Sequence, residues 1–377
     1  MGMPSIWESR AFHPRPDFTV VGGGIVGLFA ALFHQRRFPR HNVVVLERGA
    51  FPAGATVRNA GFACFGSPSE LLADIRQEGL DAALGRVEER WRGLQELRSE
   101  LGDDRIGFEA SGGHELYRAD DPLYPQVAEG FDGLNRALWP VLGRTAFHWA
   151  DERVGDLGLA GVAHLARTDL EGALDSGRLI RALLARVAEA GILVRTNAGV
   201  VAFEESTAEV LLRLSDGSAL ASEQVLVATN GFTPQLLPHL DVVPARGQVL
   251  LTAPLQGLRL KGTFHLDEGF YYFRDCEGGV LLGGGRNLDF ASERTAEEGT
   301  TPLIQEALEQ LLRETIIPGT PFTITRRWSG TMAFGSGSKS PLVERLSDRL
   351  GVAVRLGGMG VAIGIRVARR ATELMAR

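Results

Sequence analysis

Two short apolar runs near the start of the chain flank one longer apolar stretch. Phe18–Val21 and Val43–Leu46 have the composition of buried parallel strands. The longer stretch, Ile25–Phe33, ends in the polar sequence His34–Arg37, and Pro39 follows shortly after. This pattern predicts a strand, a helix and a second strand, which together form a βαβ unit.

The rest of the chain shows both helical and strand-like periodicity. Apolar residues at three- and four-residue spacing predict helices over Ser69–Leu101 (broken near Gly79 or Gly85), Pro125–Leu138, Ser176–Ala190 and Thr301–Glu314. Alternating or β-branched stretches predict strands at Phe108–Arg118, Thr145–Trp149, Ile192–Arg195, Val200–Glu204, Gln224–Gly231, Pro244–Pro254, Gly262–Gly284 and Thr323–Trp328. The last segment, Gly351–Met375, predicts a strand, a glycine turn and an amphipathic helix.

These elements predict an α/β fold with two interleaved domains. A chain of 377 residues exceeds what one hydrophobic core usually organises. We expect a Rossmann-like dinucleotide-binding domain built from residues 1–68, 168–238 and 331–377. Residues 69–167 and 239–330 are expected to form a substrate domain, built on an antiparallel sheet with helices.

Composition narrows the class of protein. The net charge of −6 and the pI near 5.8 argue against nucleic acid or an anionic membrane as the main partner. Only two cysteines are present, which excludes a disulfide scaffold, and the eight scattered histidines suggest no metal site. The first 17 residues lack a secretory apolar core and are expected to be a disordered lead-in. We expect a cytoplasmic protein without an integral membrane segment.

Three glycines at the first strand-to-helix turn have the spacing of a dinucleotide-binding motif. Gly22 suits a tight turn, Gly24 lets backbone N–H groups approach a pyrophosphate, and Gly27 allows the helix to pack closely on the strand. Glu47 ends the second strand, where a carboxylate accepts hydrogen bonds from ribose hydroxyls and repels a 2′-phosphate. The sequence therefore favours FAD or NAD over NADP. The alternative is a glycine-rich turn without a ligand.

Several later motifs share an order and spacing with a known family. They are GATVRNAGF at Gly54–Phe62, LEGALDSGRLIRALLARVAEAGILV, VLVATNGFTPQL at Val225–Leu236, PARGQVLL at Pro244–Leu251, YYFR followed by LLGGGR, WSGTM at Trp328–Met332, and LGGMGVAIG. On these motifs, with the glycine turn and Glu47, nearly the whole chain resembles the FAD-dependent D-amino-acid oxidase superfamily. That superfamily includes glycine oxidase, sarcosine oxidase and bacterial amino-acid dehydrogenases.

The resemblance implies FAD as the cofactor. It implies contacts with Gly22, Gly24, Ile25, Val26, Gly27, Glu47, Arg48, Arg58, Asn59, Ala60, Gly61, Val201, Thr229, Asn230, Gly231, Gly358, Met359, Gly360 and Val361. Val201 would meet the adenine through its backbone, and the N-terminus of the last helix would face the pyrimidine end of the flavin. The cysteine that links flavin covalently in sarcosine oxidase relatives is missing near Trp328–Met332, so FAD is expected to bind non-covalently.

The resemblance also implies a reaction: oxidation of a C–N bond in an amine or amino acid by hydride transfer to FAD, giving an imine that hydrolyses. Strand alternation puts Tyr272 and Arg274 on one face, and we expect them to be the catalytic pair that orients the substrate, with Tyr271 on the other face. Met332 stands where glycine oxidase-like members have the arginine that clamps the substrate carboxylate. Either another cation takes over this role, with Arg274 preferred to Arg58 or Lys339, or the substrate has no carboxylate beside the reacting carbon. We therefore expect a larger amine or an N-substituted amino acid as the substrate.

Some assignments stay open at this stage. The electron acceptor is oxygen or another acceptor such as a quinone. Arg58 contacts flavin or substrate, or else forms only a loop ion pair. Cys64 is reactive or, more simply, a buried inert thiol, and His265 is a base or a bystander. A flavin monooxygenase or NAD(P)H-dependent reductase shares the first βαβ unit, and a flavin-binding protein without turnover is the third class.

Overall fold

The computed structural model of the protein describes residues 5–8 and 15–376. The predicted disordered lead-in lies largely outside the described residues. The chain forms two compact units, each assembled from separate segments. Unit 1 contains the chain up to Val57, Gly177–Pro244, and the chain from Met332 onward, whereas unit 2 contains Arg58–Ser176 and Ala245–Thr331.

The helices are numbered here in chain order. In the described part of the chain they are α1 (Ile25–Arg37), α2 (Ala55–Arg58), α3 (Pro68–Glu78), α4 (Leu80–Leu101), α5 (Asp103–Ile106), α6 (Tyr124–Leu142), α7 (Val154–Leu157), α8 (Ser176–Glu189), α9 (Pro302–Leu311) and α10 (Gly360–Met375). Short 3₁₀ turns occupy Asp151–Arg153, Asn230–Gln235 and Arg286–Leu288, and a π turn, Leu312–Ile316, follows α9.

The strands follow the same order. They are β1 (Phe18–Val21), β2 (Val43–Leu46), β3 (Phe62–Ala63), β4 (Gly113–Arg118), β5 (His148–Trp149), β6 (Val162–Thr168), β7 (Gly172–Ala173), β8 (Leu193–Arg195), β9 (Val200–Glu205), β10 (Val210–Leu214), β11 (Ala219–Ser222), β12 (Gln224–Val227), β13 (Val243–Thr252), β14 (Thr263–Leu266), β15 (Tyr271–Cys276), β16 (Gly279–Gly284), β17 (Ile324–Phe334), β18 (Leu342–Arg345) and β19 (Leu350–Val354).

Unit 1 is built on a six-stranded sheet in the order β18-β19-β12-β1-β2-β8. The strands from β19 to β8 are parallel, and only the edge pair β18–β19 is antiparallel. Every residue of β1 and β2 is buried, as expected for parallel strands covered on both faces. A three-stranded antiparallel sheet, β11-β10-β9, completes the unit.

Helices α1 and α10 pack directly against each other in unit 1. The hydroxyl of Thr372 in α10 donates to the carbonyl of Ala30 in α1 at 3.3 Å. Gly364 of α10 lies against the side chain of Ile25, and a Cβ at position 364 would lie 2.9 Å from Cγ2 of Ile25. The absence of a side chain at Gly364 therefore allows the two helices to approach this closely.

Unit 2 is built on an eight-stranded sheet in the order β17-β13-β16-β15-β14-β4-β6-β5. The pairs β13–β16, β16–β15, β15–β14, β4–β6 and β6–β5 are antiparallel, whereas β14–β4 is parallel. One face carries an apolar core with α9, centred on Phe264, Phe273 and Leu282. The other face packs against α3, α4 and α6 through a second core that includes Tyr117 and Phe131.

The structure agrees with most predicted elements and refines several. Gly79, with φ of 87°, separates α3 from α4, at one of the two predicted breaks. The predicted irregular loop after Glu47 contains the short elements α2 and β3. The substrate-domain sheet, expected to be antiparallel, contains one parallel pair, β14–β4, at the place where strands from two distant segments of the chain meet.

Residues 58–68 were expected in the dinucleotide-binding domain, but the structure puts them in unit 2. The physical reason is local pairing, since β3 forms an antiparallel ladder with β7. The backbone N–H groups of Phe65 and Gly66 also donate to the carboxylate of Glu171 at 2.7 Å and 3.2 Å. None of the helices within residues 5–8 and 15–376 has the length and apolar character needed to cross a membrane.

The contact between α1 and α10 gives a test of stability. Replacing Gly364 with Leu forces a side chain into Ile25, and overpacking of this kind costs about 1–3 kcal/mol. Gly337 provides the control in the same unit, because a Cβ there meets no atom within 4 Å. We expect Gly364→Leu to lower the midpoint of chemical denaturation and Gly337→Leu to leave it nearly unchanged. Equal effects of the two substitutions would contradict the packing described here.

Candidate active site

Two glycines shape the turn between β1 and α1. Gly22 has φ of 116°, and a Cβ there would lie 2.7 Å from the carbonyl oxygen of Ala228. A Cβ at Gly27 would lie 2.0 Å from the carbonyl oxygen of Gly22, so no side chain fits at this position. The first N–H groups of a helix have no partner within it, and that of Ile25 donates to Oγ1 of Thr56 at 3.0 Å. The turn has the geometry with which helix N-termini bind phosphate.

Glu47 is tied to this turn through its carboxylate. The side chain is only 8% exposed. Its Oε2 accepts a hydrogen bond from the N–H of Gly23 at 3.0 Å, and its Oε1 accepts one from the N–H of Gly49 at 2.9 Å. Each carboxylate oxygen has a second lone pair that can accept from a ribose hydroxyl. The next residue, Arg48, stacks its guanidinium 3.6 Å from the ring centroid of Phe232.

The segment Thr229–Gly231 is joined to the chain just before α10. Oδ1 of Asn230 accepts hydrogen bonds from the N–H groups of Arg355 and Leu356 at 3.1 Å and 3.4 Å. Asn230 and Arg355 both have positive φ, 45° and 67°. Such conformations are strained for residues other than glycine and cluster at functional sites. The side chain of Arg355 is held by Asp241, with 2.9 Å between Nη1 and Oδ2.

The chain is open in front of α10. A Cβ at Gly358 would meet no protein atom within 4 Å, and one at Gly360 would approach only the side chain of Leu356, at 3.4 Å. Met359 occupies the N-cap position without a side-chain hydrogen bond to the helix, and Gly360 and Val361 begin the helix. The positive end of the helix dipole therefore lies beside a stretch with almost no side-chain bulk.

Val201 lies at an irregularity of β9. Its neighbours Val200 and Ala202 pair with Leu214 and Arg213, and the register shifts between those two partners, so Val201 opposes no residue of β10. A bulge of this kind releases backbone groups from the ladder. Its side chain is 57% exposed. The predicted contact of its backbone with adenine stays a prediction.

In unit 2, Arg58 is fixed to β17. Its Nη1 donates to the carbonyl of Ser329 at 2.9 Å, and its Nη2 forms an ion pair with Glu298 at 3.0 Å. The indole N–H of Trp328 donates to the carbonyl of Arg58 at 3.0 Å. The ion pair left open by the sequence is present. The predicted contacts of Arg58 with FAD or substrate stay a prediction.

The next three residues form a tight turn. Oδ1 of Asn59 accepts hydrogen bonds from the N–H of Gly61 and from the hydroxyl of Ser176, both at 2.7 Å. Gly61 has φ of 74°, and a Cβ there would lie 2.3 Å from the carbonyl oxygen of Leu174. Ala60 between them is buried in a small apolar cluster. The turn therefore depends on the residue types that the sequence singled out.

Arg274 supports this turn from β15. Its Nη1 donates to the carbonyls of Gly61 and Leu174 at 3.2 Å and 3.0 Å, and its Nε donates to the carbonyl of Asp275 at 3.0 Å. Two of its three nitrogens thus bond to the main chain and hold the Gly61 turn in place. The predicted role of Arg274 in orienting the substrate stays a prediction.

Tyr272 lies on the face of the sheet that the alternation predicted. Its ring packs edge-on against Phe62, with 5.9 Å between centroids. It also lies across Gly283, where a Cβ would be 2.5 Å from Cε2 of the ring. Burial raises the pKa of Tyr272 to about 12, so its hydroxyl keeps its proton. Tyr271 packs with the apolar core on the opposite face.

A cation near Tyr272 was missed in the sequence. Arg286 follows β16 directly after Gly285, which has φ of 75°. Its guanidinium lies 4.8 Å from the ring centroid of Phe290. Burial lowers the pKa of Arg286, while Glu293 and Tyr272 are the titratable groups close enough to act on it. Arg286 is visible in the sequence as the arginine that ends LLGGGR. Its partial burial, which makes it a candidate, cannot be seen from the sequence.

Two other candidates have simple environments. Cys64 is buried, and burial together with the nearby charge of Glu171 raises the pKa of the thiol well above its ordinary value. A protonated thiol is a poor nucleophile, which favours the interpretation of Cys64 as a buried, unreactive residue. Burial lowers the pKa of His265 to about 4, so its ring is neutral near pH 7.

The residues of unit 1 fit FAD. The glycine turn excludes side chains where a pyrophosphate needs backbone N–H groups, and Glu47 adds acceptors for a ribose beside it. The open stretch at Gly358 allows a flat ring system to approach the N-terminus of α10.

The environment of Glu47 leads to a prediction about affinity. In Glu47→Gln an amide N–H₂ replaces one carboxylate oxygen, so one acceptor for Gly23 or Gly49 and one for ribose is lost. We expect the dissociation constant for FAD to rise roughly tenfold, because hydrogen bonds to charged groups contribute about 1.5–3 kcal/mol. Titration of the apoprotein with FAD measures this. Glu204→Gln, which alters an exposed partner of Arg213, is the control, and an unchanged constant in Glu47→Gln would refute the ribose assignment.

Comparison with known proteins extends to nearly the whole chain. The profile of the FAD dependent oxidoreductase family, DAO, matches residues 17–374. Among curated proteins, the tRNA 5-methylaminomethyl-2-thiouridine biosynthesis bifunctional protein of Idiomarina loihiensis is 24% identical over 369 residues, which cover 93% of this chain and 54% of that protein. The chain thus spans about half the length of that relative.

Solved structures show the same fold at low identity. L-proline dehydrogenase from P. horikoshii superposes with a TM-score of 0.74 at 17% identity, covering 96% of this chain and 93% of that one. Glycine oxidase from Geobacillus kaustophilus superposes with a TM-score of 0.70 at 21% identity, covering 96% and 95%.

These comparisons confirm the predicted α/β fold, the FAD cofactor and the oxidoreductase class. The predicted class of reaction, FAD-dependent oxidoreduction, is the one for which the family is named. The chain belongs to the FAD dependent oxidoreductase family.

Proposed function

We propose that the enzyme oxidises the C–N bond of an N-substituted amino acid or of a larger amine, giving an imine that hydrolyses. Bound FAD supplies the hydride acceptor for this reaction. The observation that carries the proposal is the apolar, aromatic surface around Tyr272, with the partly buried cation Arg286 at its border. Such a surface accepts an alkyl group and a carboxylate together.

Non-covalent binding of FAD is part of the proposal. In unit 1 the glycine turn, Glu47, Val201, Thr229–Gly231 and Gly358–Val361 are assigned to the cofactor. In unit 2 the turn Arg58–Gly61 is assigned to it, with Arg274 as the residue that holds the turn.

The apolar surface favours a substrate with a hydrocarbon part. Tyr272 shares one cluster with Ala60, Phe62, Val249, Leu251, Cys276, Leu281 and Trp328. An apolar wall lowers the local dielectric constant and disfavours a charged ammonium. This environment supports oxidation of an amine in its neutral form, which has the lone pair that assists hydride departure.

Arg286 is a second candidate for the substrate carboxylate, beside Arg274. Two nitrogens of Arg274 already bond to main-chain carbonyls. Arg286 is partly buried and close enough to Tyr272 for the two groups to influence each other's charge. A guanidinium in such a place gains a charge-assisted, bidentate contact with a carboxylate. Met332, at the position of the family's clamp arginine, lies in β17 and contributes no charge.

Two of the similar proteins are named for compounds that contain a secondary amine, whereas glycine oxidase is named for a primary amine. Proline, named in one solved structure, carries its nitrogen in a secondary amine. The curated relative is named for a methylaminomethyl nucleoside of tRNA, which also contains an alkylamine. The net charge of −6 argues against a polyanionic substrate. We therefore propose a free small-molecule amine, a cytoplasmic enzyme, and oxygen or another electron acceptor as the oxidant of the cofactor.

The substrate assignment is tested by anaerobic flavin reduction. The panel contains glycine, D-alanine, sarcosine, proline, larger secondary amines with and without a carboxylate, and NADH. In Arg286→Gln we expect the dissociation constants of acidic substrates to rise roughly thirtyfold, since a charged hydrogen bond contributes about 2 kcal/mol. Amines without a carboxylate should be affected little. Arg274→Gln is the matched comparison and is expected to weaken FAD binding rather than discriminate between acidic and neutral amines.

Several outcomes would contradict the proposal. Fastest reduction by glycine or D-alanine would refute the preference for larger or N-substituted substrates. Reduction by NADH without any amine would identify a reductase or monooxygenase. Loss of acidic-substrate binding in Arg274→Gln but not in Arg286→Gln would return the substrate role to Arg274.

Non-covalent binding gives a separate prediction. The two cysteines are Cys64, which is buried, and Cys276, which is partly buried and lies at the end of β15. We expect acid precipitation of the yellow holoprotein to release all FAD into the supernatant. Flavin fluorescence in the supernatant and the pellet measures this, and flavin retained by the pellet would show a covalent link.

A further inference from the structure

Three polar side chains lie next to one another on adjacent strands of unit 2. His265 of β14 pairs directly with Tyr272 of β15 on one side and with Glu115 of β4 on the other. Directly paired residues point to the same face of a sheet, with Cβ atoms about 5 Å apart. A polar row therefore runs from the surface around Tyr272 towards the interior of unit 2.

A small cavity lies beside this row. Its lining includes His265, Glu115, Glu171, Ser67 and Thr168. It has room for about one water molecule, which the carboxylates, hydroxyls and imidazole among its lining residues could hold through hydrogen bonds. The polar row and the cavity thus share His265 and Glu115.

Two buried groups in the cavity wall have hydrogen-bonding capacity that the described residues do not use. His265 is 9% exposed and Glu171 is 3% exposed. Within residues 5–8 and 15–376, no hydrogen bond reaches the ring nitrogens of His265 or Oε2 of Glu171, while Oε1 accepts from Phe65 and Gly66. Buried polar groups nearly always have a partner. One water in the cavity, bonded to both, would complete the hydrogen bonds of the ring and of the carboxyl group.

Gly113 makes space for the second oxygen of Glu171. A Cβ at Gly113 would lie 2.2 Å from Oε2. The other carboxylate, Glu115, is already saturated with donors. It accepts from the hydroxyl of Ser67 at 2.8 Å, from the N–H of Ser69 at 2.9 Å, and from the hydroxyls of Ser69 and Tyr117. Glu171 is therefore the carboxyl group with room to take up a proton.

We propose that His265 and Glu171, joined by one water in this cavity, form a proton relay for the substrate nitrogen. This inference rests on the proposed function. A substrate ammonium gives its proton to one ring nitrogen of His265, and the other ring N–H passes its proton through the water to Oε2 of Glu171. The substrate nitrogen keeps the electron pair of the broken N–H bond. After the product leaves, the proton returns to solvent along the same route.

The titration of these groups agrees with a relay that works at mildly alkaline pH. Burial raises the pKa of Glu171 to about 8, with Glu70 adding to the shift and the two N–H bonds and Arg90 opposing it. The other titratable groups that face it are Glu115, whose own pKa is raised by burial, His114 and His265, whose pKa values are lowered by burial, and Cys64, whose pKa is raised partly by Glu171. Glu171 is thus protonated below about pH 8 and becomes a proton acceptor above it. His265 stays neutral throughout, because its pKa is about 4.

The test follows anaerobic flavin reduction across pH with two secondary amines whose nitrogen pKa values differ. In wild type we expect the second-order rate constant to rise with the same midpoint, near pH 8, for both amines. In Glu171→Gln, which keeps an acceptor for Phe65 and Gly66, the midpoint should follow the pKa of each amine. The rate at pH 8 should also fall at least about tenfold, since general acid–base groups contribute this much or more. The same changes in midpoint and rate are expected for His265→Gln, because a glutamine side chain cannot exchange tautomers.

His34→Gln is the matched control. His34 is a buried histidine of unit 1 whose pKa is also lowered to about 4, and its replacement should leave the midpoint near the wild-type value. Midpoints that follow the amine in wild type, or a wild-type profile in both Glu171→Gln and His265→Gln, would overturn the relay.

A second measurement needs no substrate. In infrared difference spectra of the holoenzyme, the carboxylic acid band of Glu171 should disappear as the pH passes about 8. The band should be absent in Glu171→Gln and shifted in His265→Gln. If no amine reduces the flavin, the proposed function fails while this spectrum still reports on the pair. A wild-type spectrum without such a band would overturn the relay, whatever the substrates do.

Discussion

The close approach of α1 to the end of β1 is the constraint on which unit 1 depends. A Cβ at Gly27 would lie 2.0 Å from the carbonyl oxygen of Gly22, so the helix begins almost on the backbone of the turn. The same turn is bonded to β2 through the carboxylate of Glu47, which accepts from Gly23. Helix, turn and acidic residue are therefore one rigid arrangement, and the phosphate and ribose positions are set together.

The elements predicted best were those specified by neighbouring residues. The first βαβ unit and the break at Gly79 follow from local periodicity and glycine positions, and the structure has them where the sequence indicated. The parallel pairing of β4 with β14 was not predictable, since it joins residues 113–115 to residues 263–265. Pairing over such distances depends on the whole sheet, and local patterns contain no information about it.

The candidate site shows the same division at the level of single residues. Alternation placed Tyr272 and Tyr271 on opposite faces correctly, because the side-chain period of a strand is fixed. It gave no indication that Arg274 donates to the carbonyls of Gly61 and Leu174, which come from distant segments. Arg286 was visible as a charge after a glycine run, but its partial burial depends on tertiary packing.

The two faces of the unit 2 sheet carry side chains of different chemical character. One face is filled by paired aromatic and aliphatic residues such as Phe264 and Phe273, whose rings stack with centroids 4.8 Å apart. The other face carries Tyr272, His265 and Glu115 in a row of direct partners. An apolar core behind the sheet holds the strands in register, and that register keeps the polar side chains adjacent.

The interleaving of the two units has a consequence for the synthesis of the chain on the ribosome. β1 pairs with β12, and β12 in turn pairs with β19, which ends at Val354. In unit 2, the edge of β4 that pairs with β14 stays uncovered until β14 has been synthesised. The unit 2 sheet is complete only after β17, which ends at Phe334, and the unit 1 sheet only after β19. Apolar strand edges are exposed on the nascent chain until then, and edges of this kind favour aggregation and binding by chaperones.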